Sequence, residues 1–272
     1  MTSGAGPSTG PLRVLVLVSA TGANLRTLLD LAASRPDLVE VALVASDRES
    51  AGALEVAAAA GIETWPGRFT AECGRWTDCR TPAEQAGYRD RARAFHDRLL
   101  ARVEAYERTS GALDLVVLAY HRWIHGAFLD RFAGRIINQH PGDLADLGPD
   151  GRRNLIGLDP VGVALRRGDP ATRTSTFVVD DTPDGGAILV RGPRVAYSGP
   201  RPPATADVVA HELRQKQLSD RPALTWAVTA LAHGRIALDP GRRHLDGSAV
   251  VLLDGRPTPL GGHDLDPVEV AA

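Results

Sequence analysis

The feature that constrains this chain most is a nearly continuous apolar run, LRVLVLVS at residues 12–19. A strand with one solvated face alternates apolar and polar residues, whereas a parallel strand covered on both faces reads as one apolar run. The loop ATGAN follows the run, and LRTLLDLAAS (25–34) then has helical spacing. The run therefore predicts the first strand of an α/β fold.

The same alternation of strands and helices continues through the first half of the chain. Further strands are predicted at 39–47, 113–120 and 135–140, and helices at 51–61, 84–109 and 126–132. The stretch from IETWPG to about Pro82 is expected to be irregular. Strands that alternate with helices predict a doubly wound, mostly parallel sheet of Rossmann-like type with right-handed crossovers.

The second half predicts a different arrangement. Two strands, 173–181 and 186–198, are joined by the hairpin-like connection TPDGG, and residues 204–236 are expected to be helical with a break at Asp220-Arg221-Pro222. SAVVLLDGRPTPL predicts a β-hairpin that turns at Asp254-Gly255.

These elements predict one domain rather than two independent ones. We expect a disordered tail at 1–11 and a single domain over 12–272. Its parts would be a first half that resembles a mononucleotide-binding unit (12–135), a second half (136–240) and a C-terminal hairpin extension (241–272).

Composition narrows the class of protein. Of 272 residues, 43% are apolar and 24% charged, and the formal net charge is −2, so neither a nucleic acid nor a membrane is expected as a partner. The N-terminus lacks the order of a signal peptide, which favours a cytoplasmic protein. Two cysteines and the pair His121 and His125 lack the spacing of a metal site, so no metal is expected.

The stretch GRIINQHPGDL places polar side chains at the end of a predicted strand. Asn138 and His140 would lie at the carboxyl edge, where open α/β sheets bind their ligands. Both side chains donate hydrogen bonds, and such donors suit an oxyanion that develops at a carbonyl carbon. The alternative is structural: a capping asparagine and a hydrogen-bonded histidine before a proline.

Two loops are further candidates. Around Gly22, Ala23 and Asn24, small residues after the first strand leave backbone N–H groups at a helix N-terminus, where a phosphate could bind. In VVDDTPDGG, Asp184 could orient His140 or receive a proton if the fold brings the two together. Both loops also have the residues of ordinary tight turns.

The order of these motifs is specific. The chain resembles the glycinamide ribonucleotide formyltransferases, folate-dependent enzymes of purine synthesis, over about residues 12–262. The segments that carry the resemblance are VLVSATGANL, LDLVVLAYHRWI, FAGRIINQHP, TSTFVVDDTPDGG and LLDGRPTPLGG. The resemblance implies a Rossmann-like formyltransferase fold in which 12–135 is the nucleotide- or phosphate-binding half, 136–240 the catalytic and folate-binding half and 241–272 a C-terminal extension.

It also implies a reaction, the transfer of a formyl group from 10-formyltetrahydrofolate to an amine. Asn138, His140 and Asp184 match the family's catalytic residues. Asn138 and a protonated His140 would stabilise the oxyanion of a tetrahedral intermediate, by about 3–4 kcal/mol per donor in well-studied oxyanion holes. Asp184 would hold the charge on His140 and help to carry the proton.

The resemblance further implies ligand contacts. The family's folate-binding segments, which read the pterin through backbone groups, match Arg122, Trp123 and Ile124 in one loop and Val179, Asp180 and Asp181 in another. The family's substrate phosphate binds the loop that matches Thr21, Gly22, Ala23 and Asn24. Pro141 would line the passage between the two ligands, and the family's acidic ribose contact aligns with Asp220.

Departures from the family's pattern concentrate on the acceptor side. Ala20 and Ala23 replace a glycine and a serine of the phosphate loop, and Phe177 replaces a histidine. After Pro141, GDLADLGPDGRRN is longer and more charged than the family's turn. The acceptor is therefore either glycinamide ribonucleotide or a different small amine, phosphorylated or nucleoside-like, such as one of specialised metabolism.

Two other functions stay open. In a 10-formyltetrahydrofolate hydrolase, water would replace the amine; related hydrolases carry an additional N-terminal regulatory domain, whereas here the first strand begins near residue 12. A non-catalytic folate- or nucleotide-binding module is less consistent with the three catalytic matches. The sequence leaves the oligomeric state open between monomer and homodimer.

Overall fold

The computed structural model describes residues 10–265, which divide into two compact units with a boundary between Ile136 and Ile137. Residues 1–9 of the expected tail and 266–272 of the expected extension lie outside the described residues. The single-domain organisation stays a prediction.

The first unit is a parallel sheet with helices between its strands. Its elements are β1 (Leu12–Val18), α1 (Ala23–Ser34), β2 (Val39–Ser46), α2 (Gly52–Ala59), β3 (Glu63–Trp65), α3 (Phe69–Cys73), α4 (Pro82–Ser110), β4 (Leu115–Ala119) and α5 (Ala127–Arg131). The strand order is β4-β1-β2-β3, and all three neighbouring pairs are parallel. Residues 14–18 of β1 have no exposed surface, so the predicted strand covered on both faces is confirmed.

The order of these strands creates a switch point between β1 and β4. The chain moves outward from β1 to β3 and then returns to the other side of β1. Ligands of open α/β sheets bind where such a reversal separates two loops at the carboxyl ends of the strands. In this unit the two loops are the one containing Gly22, after β1, and the one containing Arg122, after β4.

The stretch from IETWPG to Pro82 is more regular than expected. It contains β3, α3 and a 3-10 turn at Trp76–Asp78. Phe69 and Cys73 of α3 pack with Ala92 of α4 in a buried cluster. An α-helix of five residues is too short to show a periodic pattern, so this helix could not be predicted from the sequence.

The second unit contains a mixed sheet, three helices and two small antiparallel sheets. Its elements are β5 (Ile136–His140), α6 (Pro160–Arg167), β6 (Ala171–Thr172), β7 (Ser175–Val178), β8 (Ile188–Arg191), β9 (Val195–Ala196), α7 (Thr205–Gln215), α8 (Arg221–Ala232), β10 (Ile236–Arg243), β11 (Ala249–Leu253), β12 (Arg256–Pro257) and β13 (His263–Asp264). The main sheet has the order β13-β8-β7-β5. The pairs β5-β7 and β7-β8 are antiparallel, and β8-β13 is parallel.

The predicted α/β class with a mostly parallel sheet is confirmed, and so is the C-terminal hairpin. Asp254 (φ 51°) and Gly255 (φ 74°) form the two-residue turn between β11 and β12. Positive φ at both positions is the geometry of a type I′ turn, for which Asp-Gly is a preferred pair. An additional strand, β10, pairs with β11.

Two boundaries in this unit differ from the sequence-based expectation. The strand predicted over 186–198 is divided into β8 and β9, since Gly192 packs against Ser219 and Pro193 has no N–H to donate. The break expected at Asp220-Arg221-Pro222 is wrong: Lys216–Asp220 forms a π-helical turn and Asp220 keeps helical angles. The wider turn accommodates the missing N–H of Pro222 without leaving the helical path.

The buried His96 makes the stability of the fold depend on pH. Its side chain has no exposed surface and lies among the rings of Phe69, Phe95, Tyr120 and Phe128. Burial, assisted by the nearby His125, lowers the pKa of His96 to about 4. At neutral pH it is therefore uncharged.

We predict that the free energy of unfolding falls as the pH is lowered from about 6.5 to 4. In this window His96 takes up a proton in the unfolded chain but not in the folded one, which costs the fold up to about 3 kcal/mol. Urea unfolding at several pH values measures this loss, which His96→Leu should reduce. The same pH dependence in wild type and variant would contradict the assignment to His96.

Candidate active site

Strand β5 ends in three polar residues whose side chains alternate between its faces. Asn138 and His140, two residues apart, share one face. Gln139 is directed to the other face, where its Nε2 lies 2.5 Å from the Asp220 carbonyl oxygen and 3.4 Å from Thr176 Oγ1. The predicted juxtaposition of Asn138 and His140 therefore follows from the pleat of the strand.

His140 is held by contacts at both ring nitrogens. The side chain is 5% exposed, its Nε2 lies 2.7 Å from the carbonyl oxygen of Leu155, and its Nδ1 lies 3.7 Å from Asp184 Oδ2. Because a carbonyl only accepts, Nε2 carries the proton and donates it to Leu155. Nδ1 is then the nitrogen that faces Asp184, at a separation too long for a direct hydrogen bond.

The protonation state of His140 differs from the sequence-based expectation. Burial lowers its pKa below the ordinary value of 6.5, and the carboxylate of Asp184 opposes that shift without reversing it. His140 is therefore neutral at pH 7 in this structure, with the Nδ1 lone pair available. The protonated form expected from the sequence therefore requires His140 to take up a proton first, and its role stays a prediction.

Asn138 is half-buried. Within residues 10–265 its side-chain amide forms no hydrogen bond, so both N–H groups remain able to donate to a ligand. Its register partner on β7 is Phe177, which packs with Leu144 and Ile188. Apolar side chains lower the local dielectric, which strengthens the electrostatic effect of a neighbouring hydrogen-bond donor.

The loop that carries Asp184 is shaped by close backbone approaches. Asp184 itself has a φ of 51°, which few residues other than glycine adopt readily. A Cβ on Gly186 would lie 1.7 Å from the carbonyl oxygen of Val178, so only glycine fits there. Asp184 Oδ2 accepts a hydrogen bond from the N–H of Gly157 at 3.1 Å, which fixes the carboxylate near His140.

Arg153, which was not among the residues predicted from the sequence, contacts the backbone of the same loop. Its guanidinium donates to the carbonyl oxygens of Asp184 and Gly186 and pairs with Asp246 through Nε and Nη2, at 2.8 and 2.6 Å. The Arg153 and Asp246 side chains are 5% and 3% exposed. One buried ion pair therefore fixes the loop backbone on both sides of Gly185.

Gly142, where the chain departs from the family's pattern, belongs to the surroundings of His140. A Cβ at this position would lie 2.6 Å from the Leu155 carbonyl oxygen and 3.1 Å from His140 Cδ2. Any larger residue would displace the carbonyl that receives the proton of His140. The departure is therefore tied to the hydrogen bond that fixes the histidine.

The predicted phosphate loop lies in the first unit at the N-terminus of α1. Gly22 precedes the helix with a φ of 87°, and a Cβ there would lie 3.0 Å from Cβ of Ala53. No side chain caps the helix, while Thr21 and Ala23 are exposed and Asn24 is half-buried. The loop has the geometry of an anion site, and its phosphate role stays a prediction.

The loop after β4 contains the first predicted folate segment. The Arg122 guanidinium is directed inward: Nε lies 2.7 Å from Asp47 and Nη2 lies 3.0 Å from Thr70. Ile124 is buried, whereas Trp123 is 54% exposed and its ring centroid lies 6.1 Å from that of Trp76. The Arg122 side chain thus stabilises the loop, and the folate role of the segment stays a prediction.

The second predicted folate segment precedes Asp184. Val179 packs on the apolar cluster that contains Phe177, while Asp180 and Asp181 are exposed. Asp180 Oδ1 accepts hydrogen bonds from the backbone N–H of Thr182 and from its hydroxyl, so it shapes the turn. Pro141 lines a cavity of this unit, and its carbonyl oxygen accepts from Gln215 Nε2 at 3.1 Å.

Asp220, aligned with the family's ribose contact, is largely internal. It is 9% exposed, and its carboxylate accepts a hydrogen bond from the Thr174 hydroxyl. Burial raises the pKa of Asp220. Its carboxylate therefore contributes to a polar network with Thr174 and Gln215 inside the second unit.

Within residues 10–265 there is no group of three or more His, Cys, Asp or Glu side chains that could hold a metal ion. None of the helices in that range combines the length and the apolar character that crossing a membrane requires.

Comparisons with known proteins identify the family of this chain. The Formyl transferase family matches residues 12–195, more than half of the chain. A phosphoribosylglycinamide formyltransferase of Mycobacterium tuberculosis is 31% identical over 230 residues, 84% of this chain and 89% of the relative.

Solved structures show the same fold. Phosphoribosylglycinamide formyltransferase from Coxiella burnetii superposes with a TM-score of 0.68 at 24% identity, over 94% of this chain and 99% of that one. A formyltetrahydrofolate deformylase from Pseudomonas putida gives 0.60 at 19% identity, over 90% and 71%. With the family match over residues 12–195, the conclusion is that this chain belongs to the formyl transferase family.

Proposed function

We propose that the protein transfers a formyl group from 10-formyltetrahydrofolate, the co-substrate of this family, to the amine of a small molecule. The observation that carries the proposal is the arrangement of His140, Asp184 and Asn138 in one unit. It combines a buried imidazole with a free ring nitrogen, a carboxylate 3.7 Å from that nitrogen, and an amide with unused donors.

Each of these groups has a distinct task. The folate supplies the formyl carbon that the amine attacks. Asn138 donates N–H to the position where negative charge develops, and a donor of that kind is worth about 3–4 kcal/mol. His140 accepts the amine proton at Nδ1, and Asp184 stabilises the resulting imidazolium, because a carboxylate favours the charged form of a neighbouring histidine. The tetrahedral intermediate then loses its bond between the formyl carbon and the folate nitrogen. The imidazolium gives its proton to that nitrogen, so that tetrahydrofolate leaves and His140 becomes neutral again.

The carbonyl of Leu155 determines which ring nitrogen of His140 can act as the base. Its carbonyl keeps the proton on Nε2 of neutral His140, so the lone pair is on Nδ1, the side of Asp184. The 3.7 Å separation is too short for an atom between the two groups, but a water or the acceptor nitrogen beside them can contact both. An imidazole in the other tautomer would present a proton where the mechanism needs a base.

The acceptor is either glycinamide ribonucleotide or another small amine. The relatives named as phosphoribosylglycinamide formyltransferases favour the first. The segment after Pro141 favours the second, because it contributes Gly142, Arg153, Leu155 and Gly157 to contacts around His140 and Asp184. Departures from the family's sequence thus lie beside the groups proposed to act on the acceptor.

One assay separates these possibilities. The protein is mixed with 10-formyltetrahydrofolate alone, with glycinamide ribonucleotide, and with a panel of other primary amines, while released tetrahydrofolate and formylated product are measured. Release only with glycinamide ribonucleotide supports that acceptor. Release without any amine would mean hydrolysis, and folate binding without release would mean a binding module.

We predict that His140→Ala lowers turnover by about 10²–10⁴-fold, the usual contribution of a general acid or base. Folate affinity, measured by titration calorimetry, should change little, since the ring is proposed to act on the amine proton. Gln139→Leu is the matched control, because Gln139 lies on the opposite face of the same strand and should keep turnover. Near-normal turnover of His140→Ala would exclude the mechanism.

We further predict that Asp184→Asn moves the acid limb of the pH profile of kcat/KM to lower pH and lowers its plateau. The carboxylate raises the pKa of His140 against the effect of burial, so its removal lets that pKa fall further. Neutral His140, the active base, then persists to lower pH. The imidazolium formed in the reaction no longer has the Asp184 carboxylate to stabilise it, which lowers the plateau. A limb that stays fixed or moves to higher pH would contradict the pairing.

The role of Arg153 can be tested separately. Lysine keeps a charge for Asp246 but cannot donate to both carbonyl oxygens in the same geometry, so Arg153→Lys should let Asp184 shift. A displacement of about 1 Å can cost on the order of 10²-fold in rate. We expect kcat to fall by that order with little change in the KM for folate. Arg152→Lys, whose side chain is 88% exposed, is the control.

A further inference from the structure

The turn that follows His140 is held by two side chains of the second unit. Gln215, the last residue of α7, donates from Nε2 to the carbonyl oxygen of Pro141 at 3.1 Å. Ser175 donates from Oγ to the carbonyl oxygen of Gly142 at 2.9 Å. Gln215 is 1% exposed, and Ser175 has no exposed surface. The backbone after His140 is therefore fixed from inside the unit at two successive carbonyl groups.

This turn lies against the contact that sets the tautomer of His140. A Cβ on Gly142 would lie 2.6 Å from the Leu155 carbonyl oxygen and 3.1 Å from Cδ2 of His140. In a close-packed interior, a shift of the peptide between Pro141 and Gly142 is transmitted to both groups. The carbonyl that Gln215 holds belongs to that peptide.

The orientation of the Gln215 amide follows from the acceptor that it faces. A backbone carbonyl only accepts hydrogen bonds, so the end of the amide that faces Pro141 is the NH2 group. The other end is the oxygen Oε1, which accepts from the hydroxyl of Thr172. That hydroxyl has a single hydrogen, so the Thr172 oxygen accepts from Nε2 of His211, 2.8 Å away. Burial lowers the pKa of His211, and the neutral ring therefore carries its proton on Nε2.

The same reasoning extends to the donor end of the amide. Gln215 Nε2 also donates to Thr174 Oγ1 at 3.1 Å, and the Thr174 hydroxyl donates to Asp220 Oδ1. These hydrogen bonds run in one direction, from His211 through Gln215 to Asp220. A reversed amide would set two oxygens against each other at Pro141 and would withdraw the Thr174 hydrogen from Asp220. The network therefore keeps the donor end of Gln215 on the Pro141 carbonyl.

Filling space alone would not require a glutamine at this position. A buried amide costs free energy unless its donors and its acceptor are hydrogen-bonded, and methionine would fill a comparable volume without that demand. The contact with a consequence outside the network is the one to the Pro141 carbonyl, because that carbonyl belongs to the turn beside His140.

We propose that Gln215 is a positioning residue of the candidate active site. By donating to the Pro141 carbonyl oxygen, it holds the turn that keeps the Leu155 carbonyl against His140. The chain of hydrogen bonds from His211 to Asp220 keeps its amide in the orientation that this requires. The inference rests on the formyl transfer proposed above, because the turn preserves the base form of His140 that the transfer uses.

The first test compares Gln215→Glu with wild type at pH 8, with 10-formyltetrahydrofolate and the amine panel described above. The carboxylate still accepts from Thr172 but opposes the carbonyl oxygen of Pro141, so the turn shifts. A displacement of about 1 Å can cost on the order of 10²-fold in rate, and kcat should fall by that order with little change in the KM for folate. An unchanged kcat would overturn the proposal.

The pH dependence of Gln215→Glu tests the contact itself. Burial raises the pKa of the introduced carboxyl above its ordinary value of about 4.3, and below that pKa the protonated group can donate to Pro141 again. The ratio of variant to wild-type kcat, expressed per folded molecule from circular dichroism at each pH, should therefore rise as the pH falls. Taking the ratio accounts for the titrations that both proteins share, those of His140, His211 and Asp220. A ratio independent of pH would overturn the proposal.

Two further variants separate position from stability. Gln215→Met removes the donor without adding a charge, so it should lower kcat by a factor that does not vary with pH; wild-type kcat in this variant would overturn the proposal. Thr174→Val is the matched control, because it removes a hydroxyl from the same network and leaves the contact between Gln215 and Pro141. It should unfold at lower urea concentration with kcat kept. A loss of kcat in Thr174→Val as large as in Gln215→Met would make Gln215 a structural residue and overturn the proposal.

A final measurement does not depend on formyl transfer. Nitrogen NMR of histidine-labelled protein reports the tautomer of each imidazole, and the His140 signals are identified by their loss in His140→Ala. The Nε2 signal of His140 should move in Gln215→Glu and stay in place in Thr174→Val. If that signal moves but no amine is formylated, the proposed function fails and the positioning role stands. A signal that stays in place in Gln215→Glu overturns the positioning role whatever the turnover.

Discussion

A single buried guanidinium, that of Arg153, holds the geometry on which the candidate active site depends. The Asp-Gly-Gly loop cannot support itself, since Asp184 has a positive φ and two glycines follow it. Arg153 binds the loop at two carbonyl oxygens and is in turn held by Asp246, from the turn before β11. A hydrogen bond to a charged group is worth about 1.5–3 kcal/mol, enough to oppose the strain of one unfavourable backbone angle.

The parts of the fold that depend on residues close together in the sequence were predicted well. β1 was placed within a residue or two because its apolar run is continuous, β5 because an apolar pair precedes its polar end, and the turn at Asp254-Gly255 because its type demands those residues. Asn138 and His140 could be paired from the period of a strand alone. The roles assigned to them stay predictions, although the structure places both on one face of β5.

Long-range partners could not be predicted in this way. In the sequence, Arg153 lies between Arg152 and Asn154 in a charged loop and is typical of a solvated side chain. Only the fold brings Asp246 to it across 93 positions. Likewise, the low pKa of His140 arises from burial, which a sequence motif does not encode. The helical path through Pro222 depends on a π-helical turn that no propensity pattern would indicate.

The contact between Leu155 and His140 has an evolutionary consequence. Leu155 follows the segment in which this chain departs most from its relatives, yet its carbonyl sets which nitrogen of the histidine carries the proton. Gly142, at the start of that segment, is the residue that lets the carbonyl approach. The position of the proton on His140 therefore depends on the segment that differs most from the family's pattern. A loop exchanged into this place has to bring a backbone carbonyl to the same point, or the histidine loses the contact that fixes its tautomer.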